Sequence, residues 1–324
     1  MSIAVFSRRA VLALAAAVSF GLASPALAQV TEITVDFATY NPVGLVLKKN
    51  GWLEESLKED GISVRWVQSQ GSNKALEFLN AGSIDFGSTA GAAALVGKIN
   101  GNPIKSVYVY SRPEWTALVA PKDSPITKVE DLKGKRVAVT RGTDPHIFLI
   151  RALAEYGLTD KDVQFVLLQH ADGKAALLRG DVDAWAGLDP LMAAAQLEAG
   201  ANLFYRKPEA NSWGILNVRE AFAKENPQLV TKVIAAYEKA RQYSIENPEA
   251  LVEALVEVAK LPKEVIALQI ERTDISNSVI GDAQKETILQ AGLALQNAGV
   301  VDSGVDVKAV VDDLIDPSYQ PATN

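Results

Sequence analysis

Apolar and polar positions alternate along this chain in two rhythms, and the switch between them predicts its elements. Glu32–Phe37 alternates with period two and reads as a strand, and Thr39, Tyr40, Asn41 and Pro42 read as a loop. Val43–Leu57 places Leu45, Val46, Trp52, Leu53 and Leu57 on one stripe, as an amphipathic helix does. Gly61 breaks the chain before a strand at Ile62–Val67. Further strands are predicted at Lys105–Tyr110, Trp115–Val119, Lys135–Thr140, Val163–Leu168, Val182–Gly187 and Ser212–Val218, most of them separated by helical stretches. Strand alternating with helix argues for α/β layers around a mostly parallel sheet. The remainder is helical, with Asn226-Pro227, Asn247-Pro248 and Leu261-Pro262 marking three starts and Asp282 a fourth.

One stretch organises the rest. Gln70–Thr89 reads as a turn of small polar residues (Gly71, Ser72, Asn73), a short helix carrying Ala75, Leu76 and Leu79, a break at Ala81-Gly82, a strand at Ser83–Phe86 and a second small-residue turn, Gly87-Ser88-Thr89. Each turn precedes a helical stretch. Helix starts carry unpaired N–H groups and partial positive charge, so small residues there let an oxyanion approach. Ser and Asn are also ordinary caps, and capping alone is the competing reading. The pattern returns at Lys174–Ala184: short helix, Gly stop, apolar-Asp strand. Two α/β halves built alike follow, each turning loops toward a shared crevice.

Composition narrows the classes. Ser7-Arg8-Arg9-Ala10-Val11-Leu12, the short apolar run Ala10–Leu22 and Ala26-Leu27-Ala28 form a twin-arginine-like export signal with cleavage after Ala28. The whole chain of 324 residues carries a net charge of −7, and loss of Arg8 and Arg9 takes it to −9. Such a chain has no electrostatic footprint for nucleic acid. With no cysteine there is no disulfide, thiol catalysis or Cys-type metal site. His146 and His170 are the only histidines and lack metal-ligand spacing. Neither a phosphate-binding Gly-Lys-Ser/Thr loop nor a Gly-x-Ser-x-Gly elbow is present. No cofactor is expected.

Ser83-Ile84-Asp85-Phe86-Gly87-Ser88-Thr89, Val119–Pro125 with Asp131–Val139, Arg141–His146 with Leu149–Leu153, and Gly180–Trp185 with Asp189-Pro190 resemble, in order, signatures of the periplasmic binding proteins for aliphatic sulfonates, taurine and nitrate. The resemblance spans about Val35 to Val218. It implies a two-lobed, type II (Venus-flytrap) α/β fold with hinge crossover strands: lobe 1 in 29–114, lobe 2 in 115–213, and a return to lobe 1 with C-terminal helices in 214–324. It implies a monomeric periplasmic protein, not an enzyme, that captures a small anionic solute, a sulfonate such as an alkanesulfonate or taurine. The permease and ATPase subunits of an ABC importer would be its partners. Nitrate, bicarbonate or another small organic solute is the alternative. An exported enzyme using the same cleft with His146 as base, the pyrimidine-precursor synthase branch of this fold and a receptor's sensing module are the other readings. Two positions depart from the sulfonate pattern: Gly91-Ala92-Ala93 replaces an acidic residue and Pro, and Leu188 replaces an aromatic.

The resemblance carries ligand contacts onto Gly71, Ser72 and Asn73, onto Ser88 and Thr89, and onto Thr143 and His146. Arg141 precedes that last turn and could pair a sulfonate. Tyr40 and Asn41 lie where the first strand opens, and Trp115 and Trp213 flank the crossovers and could wall an apolar tail, with core packing as the competing reading. Trp185 and Asp189 follow the fourth signature strand; Asp189 either meets a ligand ammonium or caps the Pro190 helix.

Overall fold

The computed structural model describes residues 30–320. The predicted export signal therefore lies outside the described residues. The chain begins with β1 (Glu32–Phe37), α1 (Pro42–Asn50), α2 (Trp52–Leu57), β2 (Ser63–Gln68), α3 (Ser72–Asn80), β3 (Phe86–Ala90), α4 (Gly91–Ile99) and β4 (Ile104–Pro113). It continues through β5 (Leu118–Ala120), β6 (Arg136–Val139), α5 (Asp144–Glu155), β7 (Gln164–Leu167), α6 (His170–Arg179), β8 (Ala184–Ala186), α7 (Leu191–Ala199) and β9 (Asn202–Tyr205). It ends with β10 (Gly214–Arg219), α8 (Glu220–Glu225), α9 (Pro227–Glu246), α10 (Glu249–Ala259), α11 (Lys263–Glu271), β11 (Thr273–Asp274), α12 (Asp282–Asn297) and α13 (Val307–Leu314).

Two sheets organise the lobes. The first is six-stranded in the order β11-β4-β10-β3-β1-β2, and the second five-stranded in the order β7-β6-β8-β5-β9. In the first, β1 runs parallel to β2 and β3, while β10 is antiparallel to β3 and β4. In the second, β6 is parallel to β7 and β8, and β5 is antiparallel to β8 and β9. Period-two alternation puts a core on each face of that second sheet: Leu118, Ala120, Ala184 and Ala186 pack with Phe148, whereas Val119 and Trp185 pack on the other side with Leu177 and Met192. Trp185 is thus a core residue at the centre of β8, not a residue beyond its end.

The long helix expected over Val43–Leu57 is two helices. Asn41 accepts the Gly44 N–H at 2.9 Å to open α1, and Gly51, at φ +66°, closes it. Asn226 and Asn247 do not cap with their side chains; the proline that follows each one opens the helix. Gly87-Ser88-Thr89 is not a turn. It lies inside β3, paired antiparallel with β10, and α4 starts two residues later. β9 and β11 have no counterpart in the sequence pattern.

The chain passes between the sheets twice, through 114–117 and 206–213. These passages are tied to each other: the Thr116 N–H donates to Asn211 Oδ1 at 2.9 Å, and Arg206 makes a bidentate pair with Glu114 at 2.7 Å per contact. Among the described residues no helix is long and apolar enough to cross a membrane.

Candidate functional site

The seam between the lobes is built from helix starts. Gly71 precedes α3 at φ +156°, and a Cβ there would lie 2.7 Å from Asn73 Oδ1 and 3.1 Å from His170 Nε2. His170 belongs to the second lobe, so α3 and α6 meet start to start. The first intrahelical bonds of α3 run from Lys74 and Ala75 to the Gly71 carbonyl. The Ser72 and Asn73 amides lie ahead of them, where a helix start has no intrahelical acceptor for its N–H groups. The Ser72 hydroxyl itself accepts the Ala90 N–H at 3.0 Å. The turn before α5 completes the ring: a Cβ at Gly142 would stand 3.5 Å from the Asn73 Cβ.

Three buried polar atoms at this seam have no hydrogen-bond partner: Asn73 Oδ1, Gln169 Oε1 and His170 Nε2. Buried polar atoms are seldom left so, and a cluster of them marks a place for a polar guest. The Thr140 hydroxyl donates to the Leu168 carbonyl at 2.7 Å and lies 3.2 Å from His170 Nδ1. That bonding assigns the imidazole proton to Nδ1 and leaves Nε2 bare. Burial pushes the His170 pKa down to about 3, so the ring is neutral. Each of the three groups can present either sense of hydrogen bond, the amides by rotating and the imidazole by changing tautomer.

An apolar wall stands beside the seam. Tyr40 and Trp115 meet edge to face, with centroids 6.1 Å apart. The Trp115 indole donates to Asp144 Oδ2 at 2.8 Å, and Ser212 donates to the same carboxylate through its N–H at 3.0 Å and its hydroxyl at 2.7 Å. Asp144 therefore ties α5 to both passages between the lobes. Burial raises its pKa, against the lowering effect of these bonds.

Several expected contacts are committed elsewhere. Ser88 donates its N–H and hydroxyl to Asp36 Oδ1 at 2.7 and 2.8 Å, and its oxygen accepts Asn41 Nδ2 at 2.8 Å. Ser69 supplies the other Asp36 oxygen at 2.5 Å, and the Tyr40 hydroxyl bonds the Ser88 carbonyl at 3.0 Å. This network lies inside lobe 1, where Asn41 and Ser88 are fully buried. Burial raises Asp36 to about 7 in spite of its donors. Thr89 accepts Asn217 Nδ2 at 2.8 Å and is equally buried. Asp189, one residue ahead of the Pro190 N-cap, accepts the Ala193 N–H at 2.8 Å in the first turn of α7 and pairs with Arg272 at 3.4 Å. Each of its oxygens thus already has a partner within the protein.

Thr143 sits at the seam, but its hydroxyl donates to Thr140 O at 2.6 Å, which leaves backbone amides as that turn's offering. Trp213 packs under Arg112 and donates to Thr287 Oγ1 at 3.3 Å, on the α12 side. Arg141 and His146 line a separate groove next to the turn. Burial first, then Arg141, lowers His146 to about 4, which makes it a weak base. Sequence reasoning missed His170 and Gln169 because it began their helix at Lys174; in the structure it begins four residues earlier, and His170 is its first residue.

The chain is similar to several known proteins. A curated protein of Escherichia coli (strain K12) named for binding aliphatic sulfonates is 33% identical over 232 residues, covering 71% of this chain and 72% of that one. The taurine-binding periplasmic protein of the same strain is 27% identical over 266 residues, covering 80% and 79%. The alkanesulfonate-binding protein of Xanthomonas axonopodis pv. citri, solved with MOPS bound, superposes with a TM-score of 0.80 at 23% identity over 89% of this chain and 99% of that one. The shared fold is that of the periplasmic binding proteins. The family described as NMT1/THI5 like matches residues 44–251, the span that contains both facing helix starts, and the chain belongs to that family.

Proposed function

We propose that this chain is the periplasmic solute-binding component of an ABC importer, and that it closes on a small organosulfonate which it delivers to the permease and ATPase. The observation that carries the reading is the meeting of α3 and α6 around Asn73 Oδ1, Gln169 Oε1 and His170 Nε2, all buried and unpartnered. In this reading the sulfonate oxygens take the Ser72 and Asn73 amides and the amides of the Gly142–Thr143 turn, while Tyr40 and Trp115 cover the carbon next to sulfur. Asn73 and Gln169 turn their amide nitrogens inward, and His170, still neutral, carries its proton on Nε2 while the Thr140 hydroxyl turns to donate to Nδ1. The lobes are 29–114 with 214–324, and 115–213, hinged at the two tied passages. Only the closed form makes both sets of contacts, so ligand favours closure. The names of the relatives support sulfonate over nitrate or bicarbonate.

A thermal-shift panel of methanesulfonate, taurine, octanesulfonate, sulfate and nitrate on ligand-free protein tests this. Ligand at about a hundred times its dissociation constant adds roughly 2.7 kcal/mol, a rise of roughly 5 °C for a protein of this size. The expected result is a shift with sulfonates alone. A shift with nitrate and none with any sulfonate would reverse the assignment.

A further inference from the structure

The start of α4 is capped by the hinge itself. Its Gly91 N–H donates to the Trp213 carbonyl at 2.9 Å, and its Ala92 N–H to the Ser212 hydroxyl at 3.2 Å. Both acceptors lie in the second passage between the lobes, where a helix start needs partners from outside the helix. The same Ser212 hydroxyl donates to Asp144 Oδ1 at 2.7 Å, and Asp144 is the first residue of α5 in lobe 2. One hydroxyl thus accepts from the first turn of a lobe 1 helix and donates to the first turn of a lobe 2 helix. Ala92, Ser212 and Asp144 are all buried. The other Asp144 oxygen takes the Trp115 indole and the Ser212 N–H, so the carboxylate grips both passages at once. It also fixes a residue of the seam: Pro145 has no N–H, and the His146 and Ile147 amides both go to the Thr143 carbonyl. The Asp144 N–H itself has no acceptor among the described residues and belongs to the turn that faces Asn73. This relay is made in the arrangement where the two halves of the seam meet, with His170 Nε2 3.1 Å from where a Gly71 Cβ would stand.

We propose that Ser212 and Asp144 form a hinge clasp that sets how often the lobes stand closed, their side chains positioning the α5 turn against lobe 1 without touching the guest. The clasp rests on the reading of two lobes that close on a solute, and its choice of probes on the sulfonate reading above. Parting the lobes carries α5 away from α4, and the relay then gives up one of its two bonds, leaving a buried amide or carboxylate oxygen unpaired. When only a fraction of a protein is competent to bind, the apparent affinity of every ligand falls by that fraction. Loss of the clasp therefore weakens all ligands by one shared factor, whereas loss of a group that touches the guest weakens them unequally.

Ser212→Ala removes the relay hydroxyl and no proposed ligand contact. Calorimetry with methanesulfonate and taurine should show both affinities falling at least fivefold and by the same factor. Small-angle scattering of the ligand-free variant should give a larger radius of gyration than the parent's. Asp144→Asn should act alike, because its amide group points hydrogens at Ser212, and the double variant should lose no more than the worse single one. Losses that differ more than threefold between the two ligands, single losses that multiply in the double variant, or unchanged scattering overturn the clasp. A lowered melting temperature with affinity and scattering unaltered overturns it too, since Ser212 would then only cap α4. If neither sulfonate binds the parent, the sulfonate reading fails, and the scattering of Ser212→Ala alone decides the clasp.

Discussion

At Gly71 the backbone stands at φ +156°, where a side chain is strained whatever space surrounds it, and a Cβ would press on Asn73 and His170. Gly71→Ala should cost about 1–3 kcal/mol in urea unfolding and weaken sulfonate binding as well. His170→Ala separates the two effects. It removes the proposed ligand group and, of the fold's hydrogen bonds, only the one with Thr140, without straining the backbone, so affinity should fall tenfold or more in protein that stays folded; unchanged affinity in calorimetry would remove His170 from the site. The buried titratable groups pull stability in opposite directions with pH. His170 at about 3 and His146 at about 4 stay neutral in the fold while the unfolded chain protonates near 6.5, so their contribution is present above 6.5 and lost as pH falls. Asp36 at about 7 and Asp189 at about 6 hold protons in the fold that the unfolded chain releases near 3.8, so theirs is lost as pH rises through that window. Asp36→Asn removes one opposing carboxyl. Its unfolding free energy should therefore climb more steeply between pH 4.5 and 6.5 than the parent's, and an unaltered slope would contradict the assignment.

In the proposed site helix starts carry the recognition, and those of α3 and α5 were legible in the chain while that of α6 was not. The small-residue turn at Gly71–Asn73 was readable because a helix pattern followed it, and Thr143 through the signature at Arg141–His146. The limits have particular causes. Gly87-Ser88-Thr89 has the composition of a turn, but β10 returns from more than a hundred residues away to pair with it, and no local signal carries that pairing. Asp189 was readable as a cap, but its Arg272 partner lies in the C-terminal helices, where the sequence offered only periodicity. His170 went unassigned because Asp172 and Gly173 look like a helix start, though they sit within the first turn of α6. Asn41 shows how one residue serves two elements, since it caps α1 and donates to Ser88 in β3. Asn41→Ala should cost about 1–2 kcal/mol by urea unfolding, more than a surface cap gives, because Ser88 loses a buried partner too.

In the molecule as a whole, the passages between the lobes do more than connect. Glu114–Arg206 and Thr116–Asn211 hold them side by side, so opening turns them together. β4 and β10 are direct neighbours in the first sheet, with Ser111 opposite Gly214. The entire second lobe is thus spliced into what would otherwise be a β-hairpin. Its own ends emerge a hydrogen bond apart, like the two wires of a plug-in module. Cutting it out and closing Pro113 to Gly214 with a tight Asn-Gly turn leaves every strand of the first sheet with its neighbour. A gene could therefore gain, lose or exchange this lobe in a single step.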